Sequence, residues 1–109
     1  MTLQQLLQQR LIQAETLMRE HQLWQLDAPA AESLVSDQPF CLDKLEPLEW
    51  LQWIFIPRMQ ALLDANAPLP MNFAIAPYYE VALPDTTPGH GVLLLTLKQI
   101  DALFVQDSD

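Results

Sequence analysis

Leu48-Glu49-Trp50-Leu51-Gln52-Trp53-Ile54-Phe55-Ile56-Pro57-Arg58-Met59-Gln60-Ala61-Leu62-Leu63 is apolar at eleven of its sixteen positions. The run is too long for a buried strand, and Glu46-Pro47 in front of it has the form of a helix start, with proline near the first turn. Only Glu49, Gln52, Gln60 and Asp64 make a polar stripe along it. A helix this apolar has to be surrounded by other helices. Pro57 sits inside it and cannot donate to the carbonyl of Trp53, so a kink is expected there.

Working outward, the first segment is an amphipathic helix. Thr2 and Gln5 have capping-box spacing, and Leu3, Leu6, Leu7, Leu11, Ala14, Leu17 and Met18 fall on one face at about 100° per residue. Its polar face carries Glu15 and Arg19 in the favourable i, i+4 order, and the pattern predicts helix to about Leu23. Asp27-Ala28-Pro29 reads as the start of a short helix through Leu34, and residues 42 to 45 as one further turn. After the stiff connector Pro68-Leu69-Pro70, residues 72 to 81 read as a shorter helix interrupted by Pro77. A pair of strands is the alternative there, but the prolines and the missing hairpin signal oppose it. Thr87-Pro88 caps a last helix to about Phe104, with Leu93, Leu97, Ile100 and Phe104 on its inner face and Lys98 and Asp101 away from it. The expected architecture is all-α: a single domain over residues 1–109, an irregular bundle of four main helices around a proline-kinked, largely buried central helix.

Bulk composition narrows the function. The chain has 109 residues, half of them hydrophobic, so one core can form without disulfides or metal. Five basic residues against fourteen acidic ones leave a formal charge of −9. That opposes direct nucleic-acid binding, which needs a cationic surface, and binding to anionic lipid for the same reason. Cys41 is the lone cysteine, so an intrachain disulfide is impossible and a reducing compartment fits. The N-terminus lacks the basic start and apolar run of a signal peptide, and no run is long enough to span a bilayer, so the expected location is the cytoplasm.

The residues that could carry chemistry are few. His21, His90 and Cys41 are isolated in sequence, which leaves no metal motif; the expectation is no metal and no cofactor. Ser33, Ser36 and Ser108 lack a nucleophile context, and two glycines cannot make a phosphate loop, so no catalytic residue is assigned. Carried at 100° per residue through Pro57, Arg58 lands opposite Glu49 and Gln60 and points into the bundle, where it needs a carboxylate; Glu80 is the first candidate. Arg58, Trp50, Tyr78, Tyr79 and Glu80 would then form either an internal ion pair or a pocket for an anionic ligand. Trp53, beside Gln52, Ile56 and Gln60, falls near the polar stripe, where it would make an exposed aromatic patch for a partner unless residues 28 to 45 cover it. Seven of the nine aromatics lie between Phe40 and Tyr79, which marks the hub of the core before it marks a site.

The central segment Glu46-Pro47-Leu48-Glu49-Trp50-Leu51-Gln52-Trp53-Ile54-Phe55-Ile56-Pro57-Arg58-Met59 resembles the signature of the YqcC-like family. So do Pro68-Leu69-Pro70, Phe73-Ala74-Ile75-Ala76-Pro77-Tyr78-Tyr79-Glu80, Arg19-Glu20-His21 and the run from Leu97 to Phe104, in which Ile100 replaces a leucine. The resemblance implies a small all-helical bacterial protein with no accepted catalytic residues to carry over. Some members bear a name linking them to tRNA pseudouridine synthase C. Such enzymes resemble this chain in neither size nor class: they are larger α/β domains with a catalytic aspartate in an arginine-leucine-aspartate motif. Gln25-Leu26-Asp27 is the nearest match and lacks the arginine, so the name would imply an accessory to the synthase rather than the enzyme.

Three functional readings follow. The leading one is a non-enzymatic module that binds a cytoplasmic protein around Trp53. The second is a small anionic-ligand-binding or enzymatic domain with a pocket near Arg58. The third is an accessory to tRNA pseudouridine modification.

Overall fold

Thr2 opens the first helix as the spacing predicts. In a computed structural model, which describes residues 2–29, 45–69 and 74–104, Gln5 donates its backbone N–H to Thr2 Oγ1 and Gln5 Oε1 accepts from the Thr2 N–H. Helix α1 spans Leu3–Glu20 and buries Leu7, Leu11, Ala14 and Met18. It stops three residues earlier than expected. Gln22 adopts a left-handed conformation (φ +60°), Leu23 N–H bonds back to Met18 O and Gln22 N–H to Arg19 O, which together close a Schellman turn. The side chain of Gln22 carries little signal for such a stop, whereas Asn66 (φ +53°), which ends the central helix in the same way, is a more usual choice.

The central helix is continuous from Pro47 but assembled from three pieces: α2 (Pro47–Trp50), a π-helical turn (Leu51–Phe55) and α3 (Ile56–Asp64). Ile56 N–H reaches back five residues to Leu51 O. The wide turn stands directly before Pro57, which lacks an N–H to give and whose ring would crowd the carbonyl four residues back in a regular helix. The expected proline break is therefore present, and it takes the form of one extra residue in the turn. That extra residue changes the phase of everything after it. Arg58, expected inside the bundle, is exposed, and Met59 takes the buried position.

Helix α4 (Ala76–Ala82) carries Pro77 in its first turn. The expectation of a helix interrupted by Pro77 is corrected: proline opens this helix, where its missing N–H costs nothing. Asn72 and Phe73, the expected start, lie outside the described residues. Helix α5 (His90–Phe104) buries Leu93, Leu97, Ile100 and Phe104 as its period requires. Its N-terminus is reached through a tight turn at Gly89 (φ +74°), where a Cβ would overlap the ring of His21.

Helix α1 packs lengthwise on α5, with α3 against α1 and α4 against α5. Their inner faces meet in one core that includes Leu51, Phe55, Met59, Tyr79 and Leu83. Among the described residues there is no strand. The short helices expected over 28–34 and 42–45 lie outside the described residues except for Ala28, Pro29 and Leu45, none of which is helical.

Candidate functional site

The chain that leaves α1 at its Schellman turn runs back along the central helix, and a buried glutamine holds it there. Gln52, on the π turn, is 3% exposed. Its Oε1 accepts from Gln25 N–H (2.7 Å) and its Nε2 donates to Gln25 O (2.7 Å), which satisfies the backbone of Gln25 as a strand neighbour would. The side chain of Gln25 then turns outward. It accepts from the indole N–H of Trp53 (2.8 Å) and donates to Glu49 Oε2 (3.2 Å). Four residues from three turns of structure are thus tied into one polar frame.

The frame walls a surface groove of about 480 Å³. Trp24 and Trp53 are its aromatic walls, Ile56 and Pro57 lie along the central helix side, and Leu26, 90% exposed, stands at its edge. Trp24 is steadied by the Arg19 guanidinium, 4.7 Å from its ring centre, while Arg19 Nε bonds Glu15 Oε2 at 2.9 Å. On the other side Gln60 and Gln8 exchange amide hydrogen bonds (2.8 Å each), and Gln60 also donates to Asp64 Oδ1 (2.9 Å). These side chains fix the spacing of α1 and α3 at the groove.

All four residues of the patch expected at Trp53 line the groove, Trp53 and Gln60 half-buried, but Gln52 and Ile56, expected in an exposed patch, are buried. The π turn is the reason: it rotates Gln52 inward to the Gln25 backbone and leaves Trp53 at the surface. Residues 30–44, which would be needed to cover Trp53, lie outside the described residues. Trp24, Gln25 and Leu26 join them from outside the expected set. The sequence signal for them is slight, an apolar pair flanking a glutamine just beyond a helix end.

The other expected cluster is dispersed. Arg58 is exposed, and Glu80, its expected partner, pairs with Lys98 Nζ at 3.1 Å on the surface. Tyr79 is fully buried and donates its hydroxyl to Pro47 O, which ties α4 to the start of the central helix. Burial, with Tyr78 beside it, pushes the Tyr79 phenol far above its ordinary range. Tyr78 meets Tyr79 edge to face at 5.0 Å; burial and then the charge of Glu46 raise its phenol too. Trp50 packs at the edge of the core against Phe55, 5.6 Å between centres. A second, smaller cleft of about 220 Å³ lies between Pro47 and Pro84.

Asp101, expected to face away from the core, is 8% exposed. Its carboxylate accepts from Ile75 N–H (2.9 Å to Oδ1, 3.0 Å to Oδ2) and Ala76 N–H (2.8 Å to Oδ2). A residue of α5 therefore caps α4 from across the core. Burial raises the pKa of this carboxyl, with the two backbone donors pulling the other way. Among the described residues, no cluster of three or more His, Cys, Asp or Glu is placed to hold a metal, and no helix is long and apolar enough to cross a membrane.

A family model described as tRNA pseudouridine synthase C matches residues 6–103. The chain is 52% identical over 94 residues to the uncharacterized protein YqcC of Escherichia coli K12, covering 86% of each. It is 48% identical over 77 residues to an uncharacterized protein of Haemophilus influenzae, covering 71% of this chain and 73% of that one. A solution NMR structure of E. coli YqcC matches with a TM-score of 0.84 at 48% identity, covering all of this chain and 93% of the other. The tRNA pseudouridine synthase C of Pectobacterium carotovorum is 46% identical over 65 residues, which are 60% of this chain but only 17% of that protein. The chain belongs to the YqcC family.

Proposed function

We propose that this member of the YqcC family is a non-catalytic interaction module of the cytoplasm, and that the groove at Trp24 and Trp53 is the face it presents to another protein. The observation that carries the reading is the pairing of two half-open tryptophans with a leucine 90% exposed, on a frame whose polar groups are already satisfied. Tryptophans at the centre of a concave apolar surface are the usual anchors of protein interfaces. Catalysis finds no comparable support, since the carboxylates near the groove serve as hydrogen-bond acceptors for its own frame.

The partner we propose is a tRNA pseudouridine synthase. In the Pectobacterium protein, sequence similar to this chain forms about a sixth of a much longer protein of that name. The arrangement is what an accessory domain joined to its enzyme would produce. The same role in separate chains needs a non-covalent interface instead. It also fits the charge: a tRNA-modifying enzyme needs a cationic surface, and this chain carries −9.

The test is capture of the synthase by the tagged chain from its native cytoplasm, with Trp53→Arg alongside. Stoichiometric capture that is lost in a folded Trp53→Arg variant supports the reading. Capture retained by that variant removes the groove as the partner face, and absence of the synthase removes the partner.

A further inference from the structure

Among the described residues, carboxylates outnumber cations beside the groove. Glu15 lines it, paired with Arg19, while Glu49 is bonded to Gln25 and Asp64 to Gln60 in its wall. Among the described residues the cations nearby are Arg19 and Arg58. Arg19 is already paired with Glu15 and stacked on Trp24, and Arg58 is the exposed neighbour of Pro57. Glu49 and Asp64 thus stand beside the groove, bonded to amides of its wall and to no cation among the described residues, within a chain whose overall charge has the same sign. We infer that the groove takes a cationic amphipathic segment of the partner protein, with apolar side chains between Trp24 and Trp53 and lysines or arginines toward Glu49 and Asp64.

The inference rests on the groove being the partner face and specifies what that face receives. The volume of about 480 Å³ suits a few side chains from one face of a helix, the mode in which spaced apolar anchors enter a preformed groove. Amphipathic segments with acidic polar faces are disfavoured, because they would bring like charge against the rim. The rim charges are partly solvated, so the attraction is screened by salt, while the apolar contact is not. Two contributions with different salt dependence make the occupant recognisable.

The experiment uses labelled 16-residue helical peptides in three forms, read by fluorescence anisotropy against the full chain. One has leucines on one face and lysines on the other, one has glutamates in place of the lysines, and one has serines in place of the leucines. The leucine–lysine peptide should bind, and its affinity should fall by about tenfold between 50 and 300 mM salt. The other two peptides should bind at least about tenfold more weakly. Glu49→Gln with Asp64→Asn should reduce the salt dependence, whereas Asp85→Asn, in an exposed turn, should leave it unchanged.

Leu26→Ser should weaken the leucine–lysine peptide as Trp53→Arg does, and a side chain 90% exposed is not needed for folding. Equal binding of the glutamate peptide, no binding by any of the three, or binding indifferent to Leu26→Ser would overturn the inference. Loss of synthase capture in Trp53→Arg together with equal binding of the glutamate peptide would keep the partner face and reject its cationic occupant. Capture indifferent to Trp53 would reject the face itself.

Discussion

Replacing Asp101 by alanine should unfold much of the margin by which this chain is stable. The carboxylate is 8% exposed and takes the N–H groups of Ile75 and Ala76, the two donors at the start of α4 that no intrahelical carbonyl can reach. Pro77, next in line, has no N–H, and Tyr78 N–H is met by Ile75 O, so the carboxylate completes the set. Bonds to a charged acceptor contribute about 1.5–3 kcal/mol each, and a buried donor left without a partner costs a similar amount. For two donors, with relaxation and water entry recovering part, Asp101→Ala should cost about 3 kcal/mol. In a domain near 100 residues that lowers Tm by roughly 15 °C. Urea denaturation with a thermal melt measures both. A change below about 0.5 kcal/mol, the range of ordinary surface substitutions, would refute the assignment of Asp101 as the cap of α4.

Asp101→Asn refines the same prediction. Burial raises the carboxyl pKa above its ordinary value, outweighing the two backbone donors. A carboxyl raised on folding holds its proton more tightly in the folded state, so it favours the fold below the unfolded pKa and loses that contribution as pH rises through the folded one. Asparagine has no such proton. The stability of the wild type relative to Asp101→Asn should therefore be greatest at the acid end and decline as pH rises through and just above the aspartate range. A relative stability that instead rises with pH would mean that the backbone donors outweigh burial.

Gly89→Ala should cost about 2–3 kcal/mol, because φ is +74° and the new Cβ would overlap the His21 ring. His21→Ala in the same chain should recover about 1 kcal/mol by removing the overlap but not the backbone strain, and a double-mutant cycle by urea denaturation reads the coupling. Gln52→Leu should cost about 2 kcal/mol through the unpaired N–H and C=O of Gln25. Its amide-exchange signature should be loss of protection at Gln25 N–H while the core of α5 keeps its own.

What the sequence disclosed depended on how local the cause was. Helices α1 and α5 were legible because a single period places Leu7, Leu11 and Met18, or Leu93, Leu97 and Phe104, on one face. The capping box of Thr2 and Gln5 was legible for the same reason: both partners lie within one turn. Arg58 was misplaced because a period carried across Pro57 ignores the added residue of the π turn. Asp101 was misplaced because its partners are 25 and 26 positions away, and α5 read alone puts it on the outer face. Of the groove, Gln52, Trp53, Ile56 and Gln60 could be read from the central segment. Trp24, Gln25 and Leu26 could not, since the hydrogen bonds that hold them there come from a side chain 27 positions along.

The π turn links the fold to the proposed role. In a regular helix Gln52 and Trp53 would point about 100° apart, and so they do across many surface helices without forming anything. Here the widened turn lies under a segment that has just left α1, so the inward glutamine meets the backbone N–H and C=O of Gln25 and the outward tryptophan meets the side chain of that residue. One residue is thereby gripped at its N–H, its C=O and its amide, which holds Leu26 in the open without a helix or strand to carry it. An exposed leucine on a loose loop would lose conformational freedom on binding, and that loss would subtract from the affinity. On this frame the ordering is already done within the folded chain. Under the proposed reading, a partner segment would meet a groove whose backbone frame is already held, and less of the anchoring by Trp24, Trp53 and Leu26 would be offset by ordering. It is this combination of exposure with fixation that separates the groove from the scattered apolar residues of an ordinary surface, such as Val81 and Leu95.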